Sequence, residues 1–414
     1  MRRVELLAPA RNVKALLAAL PHADAVYFGT DRLNMRDRAE NVPLARLGEV
    51  TSKCHDAGVR AYLATNVLVY DDELPVVDEV FGAAYAADVD AVIVHDVGVI
   101  ELAKKHGIPF HVSTQANVSN VASAKFYERL GASRVILARE LSLAQIKVIA
   151  RELETCQVEA FVHGAMCTSI SGRCYFSADL CGSEEFSANR GKCIQPCRRR
   201  FRVVDEENNE LLYDGEAFIS AKDLCMVGHL PEMLDAGVSS LKIEGRMRRP
   251  DYVDTVTRVY REALDAVYDG TYTPEKVREW TQRLRRAYNR GFSTGFYFGR
   301  PTPADIEPRV RGNASPWHRV EVGRVVDYFR KARVAKILVT NGSLRVGDDL
   351  VIEGVNTDTF VRFVVTSLRI KHESVQETPV GRGGDPIVAT VALDEPVKEN
   401  DRVYKFQRRT QKSD

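Results

Sequence analysis

From residue 3 to about residue 164, short apolar runs rich in β-branched residues alternate with amphipathic stretches. This alternation constrains the fold more than any other feature of the sequence. Strands are expected at 4–8, 25–29, 60–66, 91–96, 109–114, 134–139 and 159–164, with helices at 12–20, 43–57, 73–87, 97–106, 121–130 and 143–153. Each strand run is almost continuously apolar, as a parallel sheet covered on both faces requires. An eighth strand, 239–245, falls between helical stretches at 224–236 and 251–268. Eight β–α units in roughly 270 residues match the size of a TIM-like (β/α)8 barrel. A doubly wound open sheet shares the local pattern but usually has fewer strands, so the α/β barrel is the expected fold.

The barrel domain is placed at 1–300, with a Cys-rich insertion after strand 7 (loop 164–200). A hairpin, 201–205 with 210–213, turns at Glu207, Asn208 and Asn209, and a further helix covers 274–288. Residues 301–317 read as a linker, because Pro301, Pro303, Pro308, Gly312 and Pro316 break regular structure. From 318 to 408 the apolar period becomes two, and turns such as Asn341-Gly342 and Gly383-Gly384 join short strands, as in a small all-β barrel. The basic tail 408–414 is expected to fray. With 414 residues, two domains are the natural division.

The net charge of +1 gives no overall attraction to nucleic acid, so any basic footprint is local. The N-terminal apolar run is interrupted by Glu5 and lacks a small-residue cleavage site, and no stretch approaches the ~20 apolar residues of a membrane span. The expected location is cytoplasmic. In that reducing setting clustered cysteines favour metal over disulfides.

Five of the eight cysteines, Cys167, Cys174, Cys181, Cys193 and Cys197, fall within the insertion. Cys167 with Cys174 and Cys193 with Cys197 form two pairs, and Cys181 between them is the spare or an alternate ligand. Structural zinc prefers two to four residues between paired ligands. The wider first pair suits an iron–sulfur cube at least as well, and unrelated buried thiols are the third alternative. Cys54, Cys156 and Cys225, beside apolar residues or on a helical pattern, read as buried thiols.

Reactive groups of a (β/α)8 barrel stand at the C-terminal strand ends. Those ends carry Asn66, His95, Asp96, Thr114, Gln115, Arg139, Glu140, His163, Glu244 and Arg246, with Lys242 on the last strand; the loop after strand 2 adds Asn34, Arg36, Arg38 and Asn41. Arginine forks grip carboxylates and phosphates, so Arg36, Gln115, Arg139, Lys242 and Arg246 are the candidate binding residues for a small anionic metabolite. His163, Glu140 and Glu244 are the candidates for moving protons. Singly, each competes with a role as helix cap or rim ion pair. Basic residues gather at 190–202, 246–249 and 283–290, and Tyr252, Tyr288, Phe292, Phe296 and Tyr297 accompany the last two clusters. Exposed rings among positive charges suit splayed RNA bases; solvated helix faces over buried rings are the competing explanation. No HExxH helix, phosphate loop or dinucleotide fingerprint is present, and 291–295 matches G-x-S-x-G without the strand–turn–helix context of a nucleophile elbow.

One stretch carries a family pattern, E-x-F-x2-G-[SA]-aliphatic-C-x4-G-x-C-x-aliphatic-S. It runs through Glu159, Phe161, Gly164, Ala165, Met166, Cys167, Gly172, Cys174, Phe176 and Ser177, with Phe176 the one departure. With LLAPA near the start, STQ at 113–115, ARE at 138–140, SLKIEGR at 240–246 and GFSTGFYFG at 291–299, the chain resembles the collagenase-like peptidase family U32 over about 4–300. The resemblance implies a [4Fe-4S] cluster on Cys167, Cys174, Cys193 and Cys197. It also implies hydroxylation of tRNA to 5-hydroxyuridine at the wobble position, with prephenate as the anionic partner metabolite. The alternatives it leaves are a collagenase-like metallopeptidase with zinc on the same cysteines and a non-catalytic tRNA-binding factor with a structural metal. The C-terminal β-barrel resembles domain 2 of translational GTPases, which again points to tRNA.

Overall fold

The computed structural model describes residues 3–211, 219–307 and 312–409. They form two compact units, one running to Asn12 and from Ala19 to Ala314, the other from Ser315 onward together with Val13–Ala18. Strands β1 (Glu5–Pro9), β2 (Ala25–Phe28), β3 (Arg60–Ala64), β4 (Ala91–Val94), β5 (Phe110–Val112), β6 (Arg134–Ile136) and β7 (Gln157–Gly164) pair in sequence order, all parallel. Strand β8 (Ser240–Ile243) pairs in parallel with both β7 and β1, which closes the eight-stranded barrel.

Helices alternate with these strands: α1 (Val13–Ala19), α2 (Leu47–Asp56), α3 (Leu74–Ala86), α4 (Val97–Lys105), α5 (Val121–Arg129) and α6 (Leu143–Glu152). The starts of α4, α5 and α6 are set by short polar side chains. Asp96 accepts a hydrogen bond from the Val99 amide, Asn120 from Ser123 and Ser142 from Gln145, each satisfying an otherwise orphaned N–H. The insertion carries a short helix, α7 (Phe176–Cys181); α8 (Leu230–Asp235) precedes β8, and α9 (Pro250–Tyr268) and α10 (Pro274–Arg286) follow it.

One detail differs from the sequence expectation. Residues 224–236 do not form one helix: Asp223–Cys225 is a strand, antiparallel to the end of β7, and the helix begins at Leu230 with Pro231 in its first turn. The pairing partner is distant in sequence, so no local period reveals it. Phe292–Ser293 then adds in parallel beside Asp223–Leu224. The hairpin after the cysteine loop pairs Val203–Val204 with Glu210–Leu211; its expected end at Tyr213, Pro308 of the linker and the tail from Thr410 lie outside the described residues.

The barrel centre is ionic rather than filled by the usual branched apolar layers. Lys242 Nζ lies 2.7 Å from Glu159, Glu159 3.0 Å from Arg134, and Arg134 2.5 Å from Glu5. Ser240 Oγ donates toward both carboxylates, at 2.9 Å to Glu5 and 3.2 Å to Glu159, while the Tyr62 hydroxyl donates to Glu5 at 2.7 Å. The chain of alternating charges leaves no buried carboxylate without a partner, the condition under which such ions are tolerated.

The second unit is an eight-stranded antiparallel sheet, from Trp317–Phe329 to Arg402–Arg408 in sequence. Its alternating apolar residues, among them Val322, Val325, Ile337, Leu350, Ile352, Val391 and Val403, gather into one core.

Candidate active site at the barrel mouth

A small cavity of about 60 Å³, open to solvent, sits at the C-terminal end of the barrel. Its wall includes Tyr27, Arg36, Asn66, Gln115, Phe161, Lys242, Glu244 and Arg246. Lys242 is the upper end of the ionic chain; its ammonium stands 4.3 Å from the centre of the Tyr27 ring and 5.8 Å from that of Phe161. Burial lowers its pKa, and Glu159 opposes that shift.

Arg36 pairs with Glu244 at 3.0 Å and donates to the Met35 carbonyl at 2.8 Å. Burial raises the Glu244 pKa, but Arg36, Arg248 and Arg139 more than compensate, and the carboxyl stays below its ordinary range. Arg246 is 3% exposed and donates to the amide oxygens of Asn34 and Asn41, both at 2.7 Å. Asn66 accepts from the Met35 amide and donates to Gln115 and Ser113 at 3.1 Å. Arg139 lies 4.4 Å over the Phe161 ring and donates to the Ala165 carbonyl. Its Nε and Nη2, and Arg246 Nε, are buried without a hydrogen-bond partner among the described residues. Strong donors in that state favour an arriving anion.

The cysteine loop docks across this mouth. Asn117 donates to Ser171, Arg198 reaches the Met166 carbonyl and Ser220, and Arg190 pairs with Glu73 and donates to the Leu68 carbonyl at 2.6 Å. Gly164, where the loop leaves β7, has φ of +107°, and a Cβ there would come 2.5 Å from the Glu244 carbonyl oxygen. The family pattern therefore has a steric reason for glycine at this position. Ser177 Oγ accepts from the Ile194 amide at 3.1 Å, joining the two halves of the loop.

Cys167 is exposed and Cys174, Cys181, Cys193 and Cys197 are half-buried, all as free thiols. Burial raises the Cys193 and Cys197 pKa values, and charge on Cys167 and Cys174 raises both further. The four sulfurs thus lie in one another's field, and a cation is what would let them ionise together. Among the described residues no three His, Cys, Asp or Glu side chains stand close enough to share a metal ion as placed. Gathering the four sulfurs on one centre therefore requires the loop side chains to rearrange. The donor chemistry suits a thiophilic centre. Cys54 and Cys156 are buried away from the loop, and Cys225 is half-buried on its short strand.

The proton-transfer candidates separate. Glu244 is on the cavity wall; Glu140 is exposed and outside it. His163 is 1% exposed and turned into the helix layer, ringed by Tyr252, Tyr260 and Phe292 at 5.5–6.1 Å between ring centres. A bulge on β7 is the cause: Phe161 pairs with Lys242 but His163 with Ile243, so Val162 is an extra residue. Its carbonyl accepts from the Tyr260 hydroxyl and the Met226 amide, which fixes the bulge. The rings expected among the basic clusters are also partly withdrawn. Tyr252 and Tyr297 are buried, and Arg283 and Arg290 are tied to Glu262 and Asp223. Residues not singled out from sequence as site candidates, among them Tyr27, Met35, Ser113 and Phe161, also line the wall. Phe161 lay in the family pattern, a signal that could have identified it.

A closed parallel barrel with an arginine-lined mouth under a cysteine-bearing insertion defines a class of (β/α)8 proteins built around one polar pocket. The chain belongs to peptidase family U32, whose sequence profile matches residues 11–307. It is similar to an uncharacterised protease of Methanocaldococcus jannaschii, 42% identical over 98% of both chains. It is also similar to a collagenase of Porphyromonas gingivalis, 35% identical over 98% of both chains. A tRNA hydroxylation protein P1 of Bacillus subtilis is 31% identical over 88% of this chain and 87% of its own. No helix among the described residues is long and apolar enough to cross a membrane.

Proposed function

We propose that this chain is a cytoplasmic enzyme that hydroxylates RNA, forming 5-hydroxyuridine at the wobble position of tRNA with prephenate as the anionic partner metabolite. One observation carries the reading: the cysteine loop borders, through Gly172 beside Gln115 and Ser171 on Asn117, a cavity walled by Arg36, Lys242, Glu244 and Arg246. The likeness to a tRNA hydroxylation protein supports it. Cys167, Cys174, Cys193 and Cys197 would hold a [4Fe-4S] cluster, which supplies electron transfer when bound. Placing an oxygen atom in a C–H bond is a two-electron oxidation of the base, so the reaction needs an external oxidant and oxygen donor, and the cluster would relay electrons to it one at a time. Arg36, Arg246 and Lys242 hold the carboxylates of the metabolite, and the Asn66 and Gln115 amides orient it. Glu244, held ionised by its arginines, accepts the proton lost from the base.

Anaerobic purification with iron, sulfide and zinc assays tests the cofactor, and nucleoside analysis of tRNA from a deletion strain tests the product. Iron and sulfide lost together in Cys174→Ser, with loss of 5-hydroxyuridine on deletion, is the expected result. A colourless zinc protein, or unchanged 5-hydroxyuridine, overturns the corresponding part. The likeness to a collagenase favours a second reading, a peptidase with zinc on the same cysteines. Four thiolates leave zinc no open position for a hydrolytic water, which weighs against it. Gelatin cleavage abolished by chelators and by Cys174→Ser would establish it.

A further inference from the structure

We propose that the roof of the barrel mouth is a stacking surface for unpaired bases of single-stranded RNA, with Tyr175 and Tyr70 as its platforms. The choice of RNA rests on the function proposed above; the platform itself rests on exposure, charge and connectivity. Large apolar side chains stand in solvent on two segments: Tyr175 (65% exposed), Ile170 (50%) and Leu180 (47%) on the cysteine loop, Tyr70 (53%) and Leu68 (40%) after β3. Neither segment buries these groups in the barrel core, and a clustered exposed set of this kind marks an interaction surface.

Backbone contacts bring the two segments together. The Leu68 amide donates to the Asn189 carbonyl at 3.2 Å, and the Cys174 amide donates to the Asn189 side chain at 3.0 Å. Tyr175 and Tyr70 therefore flank one junction. Arg190 lies 5.0 Å from the centre of the Tyr70 ring and is anchored by Glu73, so one face of that ring is held. The Tyr175 hydroxyl makes no hydrogen bond among the described residues, and Tyr175 supplies no side-chain cap to α7. Beneath it Phe176 packs on Phe201, ring centres 5.7 Å apart, giving the loop a firm base.

The charge suits a polyanion. Residues 164–202 carry seven basic side chains (Arg173, Arg190, Lys192, Arg198, Arg199, Arg200 and Arg202) against three acidic ones, in a chain whose net charge is +1. Asp71 and Asp72 stand beside Tyr70. That ring accordingly meets a base rather than a phosphate, and the backbone runs along Arg173, Arg199 and Arg200. Duplex RNA hides its base faces, whereas a loop offers them to aromatic rings. The surface borders the cavity, since Gly172 abuts Gln115 of its wall. Bases flanking the target can stack outside while the target base enters.

The test is fluorescence anisotropy on the full chain with a labelled uridine-rich single strand, the same sequence as a duplex, and a gelatin peptide. The single strand binds best. Tyr175→Ala and Tyr70→Ala each weaken it about tenfold, Tyr175→Phe leaves it unchanged, and none alters the melting temperature. Equal binding of the duplex, preference for the peptide, or full affinity in both alanine variants overturns the platform. If those variants bind normally while tRNA is hydroxylated, the platform fails and the reaction stands. Ring-dependent binding with no altered nucleoside keeps the platform and removes the reaction.

Discussion

Replacing His163 with phenylalanine flattens the acid side of the stability profile by an amount set by burial. Desolvation, with repulsion from Arg248, pushes the imidazole pKa down to about 3, and Glu244 pulls the other way. In the unfolded chain the ring takes up a proton near its ordinary value of 6.5. Between those values the unfolded state binds a proton that the folded state refuses, so stability is full above 6.5 and falls as pH falls toward 3. Each pH unit in that window costs about 1.4 kcal/mol, which gives roughly 2 kcal/mol from about pH 7 to about pH 5. A phenyl ring fits the same aromatic box and carries no proton, so the variant keeps that stability. Urea unfolding of both proteins at the two pH values measures it, in a Trp317→Phe background that leaves Trp280 on α10 to report on the barrel unit. The difference between the two pH slopes cancels His95 and His111, whose pKa values burial also lowers. Identical slopes would refute the buried, neutral histidine.

Gly164→Ala places a Cβ against the Glu244 carbonyl in a left-handed conformation; a loss of about 2 kcal/mol or more, read as a lower melting temperature, is the expected outcome, and an unchanged melting temperature contradicts it. Arg36→Ala removes the nearest partner of buried Glu244 and costs about 3 kcal/mol near neutral pH. Burial then governs that carboxyl and raises its pKa, so the deficit shrinks as pH falls and the folded state takes up the proton; a deficit independent of pH would count against the pairing.

The barrel was legible because its strands are buried on both faces, and a buried strand must be apolar from end to end. Glu159 and Lys242 broke that rule, and the reason appears only when the strands close and bring Arg134 and Glu5 beside them. The mouth was legible as a set of residue types gathered at the strand ends, although Asp96 among them caps α4. Which of them face the cavity was not. Alternation along β7 puts His163 on the same side as Glu159 and Phe161, and one extra residue at Val162 reverses it. Tyr252 and Tyr297 looked like surface rings beside arginines because burial against the barrel strands leaves no local trace. Tyr70 and Tyr175, by contrast, carry no periodic signal at all and show themselves only through exposure.

The ions along the barrel axis should make themselves felt on heating. Hydration of charge weakens as temperature rises, so the cost of withdrawing Glu5, Arg134, Glu159 and Lys242 from water declines while their mutual attraction persists. Less hydrocarbon meets water on unfolding than for a barrel of the same size packed with valine and leucine, which reduces the heat-capacity increment and broadens the curve of stability against temperature. Calorimetry of the protein beside a variant with an aliphatic axis would show the ionic version gaining ground steadily toward the hot end.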